Sequence, residues 1–125
     1  MKIEPTFEAK IMLGLKEGYD GSTHYYWELI KWLREYCNTN PCSVTMTPTN
    51  FIYKGGAESG AIIGLNNYPR FPATKKEIAL RALKMASELK KVFHQHRVSV
   101  VCDNFTYLIE DSDLDKTIWE DFLNF

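Results

Sequence analysis

Residues Ser43–Leu65 read SVTMTPTNFIYKGGAESGAIIGL, two strand-like runs joined through glycines. Val44 and Met46 alternate with small hydroxyl residues, and Phe51-Ile52-Tyr53 resumes the run beyond Pro48. Proline cannot donate to a sheet ladder, so Pro48 marks an edge strand or a bulge. Lys54–Ser59 holds the paired glycines and is read as the hairpin tip, from which Gly60–Leu65 returns as a strong strand.

What flanks this hairpin decides the fold. Upstream, Tyr26, Leu29, Ile30, Leu33 and Cys37 share one helical stripe, with Tyr25, Trp32 and Tyr36 beside it. Ser22 or Thr23 is the expected cap, and the helix should stop near Asn38, ahead of Asn40-Pro41. Earlier still, Phe7, Ala9, Ile11, Leu13 and Leu15 alternate with Glu8, Lys10, Met12 and Gly14, a period of two that predicts a half-buried strand. Lys16–Gly21 then has the composition of a turn. Downstream, Asn66–Pro72 is a loop stiffened by two prolines. Thr74-Lys75-Lys76-Glu77 is a capping box, followed by the stripe Ile78, Ala82, Met85, Leu89 and Val92, with an end expected around His94. Val98, Val100 and Cys102 alternate again, and Asp103-Asn104 turns into a short fifth strand, Phe105–Glu110. Leu114, Ile118 and Phe122, spaced by four, predict a short C-terminal amphipathic helix.

The order is β-α-β-β-α-β with a fifth strand and a terminal helix. It predicts an α+β, ferredoxin-like split sandwich with two helices on one face of an antiparallel sheet. The expected organisation is one domain over residues 1–110, with residues 111–125 as a C-terminal helix or tail.

Composition narrows the function classes. The 125 residues include 15 basic and 16 acidic side chains, a balance that argues against a duplex nucleic-acid binder but not against one small anionic ligand. With 45% apolar residues the chain can bury a real core. No apolar run approaches the ~20 residues of a membrane span, and Met1–Pro5 lacks a signal-peptide pattern. The three cysteines, Cys37, Cys42 and Cys102, form no CxxC pair, so a cytoplasmic, reducing location is expected. No cofactor and no resident metal are expected.

The topology defines two sheet edges. The first gathers the Gly18–Gly21 loop, the hairpin tip and the His94–Arg97 turn, and with them Asp20, His24, Glu58, His94 and His96. These residue types could serve as a metal or general-base cluster. The plainer reading is a polar rim, since histidines in a last helical turn suit the helix dipole. Gly18–Gly21 ahead of a helix lacks phosphate-loop spacing and reads as a tight turn. The opposite edge carries Asn66, Asn67, Tyr68, Arg70 and Phe71, which combine amides, aromatic rings and a guanidinium on a segment restricted by Pro69 and Pro72. Such pre-organised chemistry suits recognition as well as it suits closing the core. The sheet's open face, with Met12, Thr45, Thr47, Ile63 and Val101, looks too apolar for water, so a homo-oligomer is expected. Its contacts would run through the sheet or through Leu114, Ile118 and Phe122.

Phe51–Gly56 followed by Gly60–Pro72 resembles small uncharacterised proteins carried by bacteriophages and prophages. That resemblance implies a small accessory protein in the host bacterial cytosol, with a host protein or a small anionic, nucleotide-like ligand as its partner. The leading expectation is a non-enzymatic binding protein that inhibits a host defence component or sequesters a nucleotide signal. The alternative is a small hydrolase or nuclease using Asp20, His24, Glu58, His94 and His96, and a third possibility is a purely structural oligomer.

Overall fold

The computed structural model describes residues 1–17 and 21–111. Among them, the chain runs β1 (Glu8–Gly14), α1 (Tyr26–Thr39), β2 (Val44–Tyr53), β3 (Gly56–Asn66), α2 (Lys75–Val92), β4 (Val98–Cys102) and β5 (Thr106–Ile109). The strands form one sheet in the order β2-β3-β1-β4-β5, with every neighbouring pair antiparallel. Its first four strands follow the expected split βαβ order, and β5 extends the sheet beyond β4. The expected C-terminal helix, with Leu114, Ile118 and Phe122, lies outside the described residues.

Strand alternation sorts the sheet into two faces. Ala9, Ile11, Leu13, Ala61, Ile63, Leu65, Val98 and Val100 point to the helical face and are buried. Ile63 thus belongs to the core, not to the open face where the sequence reading placed it. α2 lies over β1 and β4 and contributes Ile78, Ala82, Met85 and Leu89, all four buried as the stripe predicts. Val92, the last of that stripe, is 47% exposed because the helix ends there and the chain turns away. Thr74 caps α2 as expected, its Oγ1 accepting from the Glu77 amide at 3.1 Å.

Three local expectations are corrected. The hairpin tip is only Lys54-Gly55, since Tyr53 already pairs with Gly56, so Ala57, Glu58 and Ser59 are strand residues. Gly55, the second central residue of that turn, takes a positive φ of 87°, the value that position of a type II turn requires and glycine accepts. α1 starts two or three residues later than expected, because Thr23 bridges to Lys16 in extended pairing. Tyr25 is its cap residue, and Glu28 reaches back to accept from the Tyr25 amide at 2.9 Å. On α1 only Leu29 and Leu33 are buried, and Ile30, Tyr25 and Trp27 are exposed. Pro48 does sit in an edge strand, β2, opposite Ala61.

Lys90 is the one buried lysine among the described residues. Its ammonium donates to Asp111 just beyond β5, and that bond holds the Asp111 carboxyl below its ordinary value. Cys37 and Cys42 are free thiols with Sγ atoms 3.8 Å apart, and burial first, then Cys37, push Cys42 up to about 11.

Candidate active site

The open face of the sheet carries an unusual set of bare positions. Gly14, Gly60 and Gly64 all fall on it, and Gly14 pairs directly with Gly60 across β1 and β3. The Phe51 ring covers Gly60: a methyl there would meet that ring at 2.2 Å and the Leu13 carbonyl at 2.6 Å. Gly14, at the end of β1, is covered by polar atoms instead. A methyl on it would lie 2.7 Å from Gln95 Oε1 and 3.4 Å from Glu58 Oε1.

Both side chains arrive there by identifiable local causes. Glu58 is the third residue of β3 and shares the open face with Gly60 by strand alternation. Gln95 is placed by the end of α2. The amide of His94 donates to Lys91 O and that of Gln95 to Lys90 O, while His94 adopts φ 51°. This pairing is a Schellman turn with histidine at the left-handed position, where glycine is the low-cost residue. The turn throws Gln95 back towards β1, where its Nε2 donates to Lys16 O and Phe93 O, each at 2.9 Å. His94→Gly should therefore stabilise the fold by roughly 0.5–1 kcal/mol, through release of left-handed strain, and raise the denaturant midpoint without altering the cleft.

Around these two residues lies an open cleft of about 430 Å³, walled by Tyr53 and Ala57 from the hairpin, Lys16 after β1, and His96 and Arg97 before β4. It falls within the size range of small-ligand sites. The Glu58 carboxylate has no hydrogen-bond or ion-pair partner among the described residues. Aromatic area, one carboxylate, one amide oxygen and three basic side chains thus face one cavity.

The predicted histidine-carboxylate cluster is divided. His24 sits on the helical side, its Nε2 2.7 Å from Glu17 Oε1 and its Nδ1 3.1 Å from Glu28 Oε2. Its ring stands edge-on to Phe93 and stacks on His94, with centroids 4.9 and 6.4 Å away. A second depression of about 310 Å³ opens beside it, lined by Glu28 and Glu35, and there the Glu28 carboxylate and the His24 imidazole are already engaged with each other. Glu58 and His96 line the cleft on the open face, and His96 Nδ1 is 3.5 Å from Asp111. Asp20 lies outside the described residues. Among those described, no three His, Cys, Asp or Glu side chains converge to hold a metal ion.

The Asn66–Phe71 loop lies at the other end of β3. Asn67 is buried, and its amide is spent: Nδ2 donates to Pro5 O at 2.9 Å, and Oδ1 accepts from Ala73 N at 2.8 Å. Tyr68 and Phe71 are exposed and bridge to each other, with Arg70 stacked 5.7 Å above the Phe71 ring. Asn66 ends β3 and is exposed. The loop is stiff, as expected, but Asn67 acts as its clamp.

Gln95, Lys16, Tyr53 and Arg97 were not singled out by sequence reasoning. The available signal was Gly14 and Gly60, lone glycines inside strand patterns, which mark close approach of other groups.

No protein-family model matches the chain, and no curated protein matches it. Two solved structures share its fold. One is a phage SAM lyase in complex with S-methyl-5′-thioadenosine, with TM-score 0.64, 18% identity, and coverage of 90% of this chain and 95% of that one. The other is a phage SAM lyase in the apo state, with TM-score 0.60, 18% identity, and coverage of 83% and 88%. At this identity the likeness is one of fold. Both of these neighbours are phage proteins, the class that the sequence resemblance points to. The likeness also overturns the expectation of a non-enzymatic inhibitor or sequestering protein, because the protein sharing the fold is an enzyme, and it lends no support to a hydrolase or nuclease.

Proposed function

We propose that this chain is a phage-encoded enzyme that cleaves S-adenosylmethionine (SAM) in the open-face cleft, releasing S-methyl-5′-thioadenosine. The observation that carries this reading is the unpaired Glu58 carboxylate beside the fixed Gln95 amide, in a fold matched over 90% of the chain by a SAM lyase.

The chemistry asks little of the protein. The sulfonium departs as a neutral thioether, so the leaving group needs no proton. The electrons that displace it come from the substrate's own carboxylate closing a ring at Cγ, or from a C–H bond opened at Cβ, whose proton passes to water as the Cβ=Cγ double bond forms. In either route the positive charge on sulfur vanishes as the S–Cγ bond breaks. A protein carboxylate against the sulfur would therefore stabilise reactant more than transition state. Glu58 serves better on a part of the substrate that keeps its hydrogen bonds throughout, with the Tyr53 ring as a stacking face for the base.

Acting in the host cytosol, such an enzyme would remove a methyl donor and starve any defence system that depends on it. A homo-oligomer built through the open face or residues 112–125 remains part of the proposal, and light scattering at micromolar concentration tests it. The reading itself is tested by incubating the purified protein with SAM and following products by chromatography. Formation of S-methyl-5′-thioadenosine above the spontaneous rate is expected, and its absence would overturn the assignment.

A further inference from the structure

Gly14 is the floor of a cradle with two acceptors above it. Gln95 Oε1 and Glu58 Oε1 both lie within 3.4 Å of the point where a Gly14 methyl would sit. The amide is not free to turn. Both protons of Gln95 Nε2 are committed, to Lys16 O and Phe93 O, and its backbone amide is committed to Lys90 O. Its oxygen is therefore aimed over Gly14 before any ligand arrives, and such pre-organisation lowers the ordering cost of binding.

We propose that Glu58 and Gln95 form the ribose subsite, receiving the two vicinal hydroxyls of an adenosyl ligand over the bare Gly14. This inference rests on the SAM-cleaving reading above. A pair of oxygens without protons of their own selects a ligand with two adjacent donors, and a carboxylate is a common acceptor for ribose hydroxyls. The α-ammonium of SAM is the competing donor. Thioadenosine product has no ammonium and keeps both hydroxyls, so the two assignments separate cleanly.

The test measures binding of S-methyl-5′-thioadenosine and its 2′-deoxy and 3′-deoxy analogues by calorimetry. For the unaltered protein, loss of either hydroxyl should weaken binding roughly 10- to 100-fold, as for one charge-assisted hydrogen bond. In Glu58→Gln and Gly14→Ala the parent ligand should bind weakly and the deoxy analogues no worse than it. Gly14→Ala keeps a residue that strands accept while driving a methyl against the pinned Gln95 oxygen, and its melting curve checks that it folds. Deoxy analogues that bind the unaltered protein as tightly as the parent would overturn the ribose assignment alone. No binding of the parent ligand at all would overturn the SAM reading, and this subsite with it.

Discussion

Glu58→Gln is expected to lower kcat/KM for SAM cleavage by roughly 10- to 150-fold, equivalent to about 1.5–3 kcal/mol of lost charge-assisted hydrogen bonding. The substitution keeps shape and length, removes the charge, and replaces one acceptor with a donor. Its effect on stability should be near zero. The carboxylate has no partner among the described residues, so nothing in the fold is left unsatisfied when the charge goes. Parallel measurement of product formation and melting temperature checks both halves. A variant with full activity would move the chemistry out of the open-face cleft.

Asn67→Ala is expected to act in the opposite sense. Its amide donates to Pro5 O and accepts from Ala73 N, tying the segment before β1 to the approach to α2. Removing it takes two hydrogen bonds from the fold, one from the exposed Pro5 carbonyl and one from the half-buried Ala73 amide, for a loss of roughly 1–3 kcal/mol. For a domain of this length that is a fall in Tm of roughly 4–12 °C. SAM turnover by the folded fraction should be unchanged, because the clamp lies at the far end of β3 from Glu58. An unaltered Tm with lost ligand binding would restore the loop, with Tyr68 and Arg70, as the recognition surface.

Most of the fold was legible because its signals are local. Phe7–Leu15 alternates cleanly, and Thr74 and Glu77 mark a helix start whose stripe faces the core. Errors arose where a residue had a stronger non-local option. Thr23 pairs with Lys16 instead of capping α1, and Glu58 joins β3 because Phe51 pairs with it. The site was legible only in part. Grouping residues by sheet edge placed Glu58 and His96 near one another. It also swept in His24 and His94, which belong to the helical side.

The sequence by itself determined the order of the described elements, the split βαβ arrangement and the four core residues of α2, and narrowed Pro48 to an edge strand or a bulge, since periodicity and caps act within a turn or two of the chain. Only the tertiary structure decided which polar groups share a cavity. Gln95 is aimed at Gly14 by a left-handed residue one position earlier and by two carbonyls, one of them 79 residues away. Gly14 meets Gly60 only through strand register. Such convergence depends on which face a side chain takes and what lies opposite it. Those are properties of the packed sheet, and no local stretch of sequence encodes them.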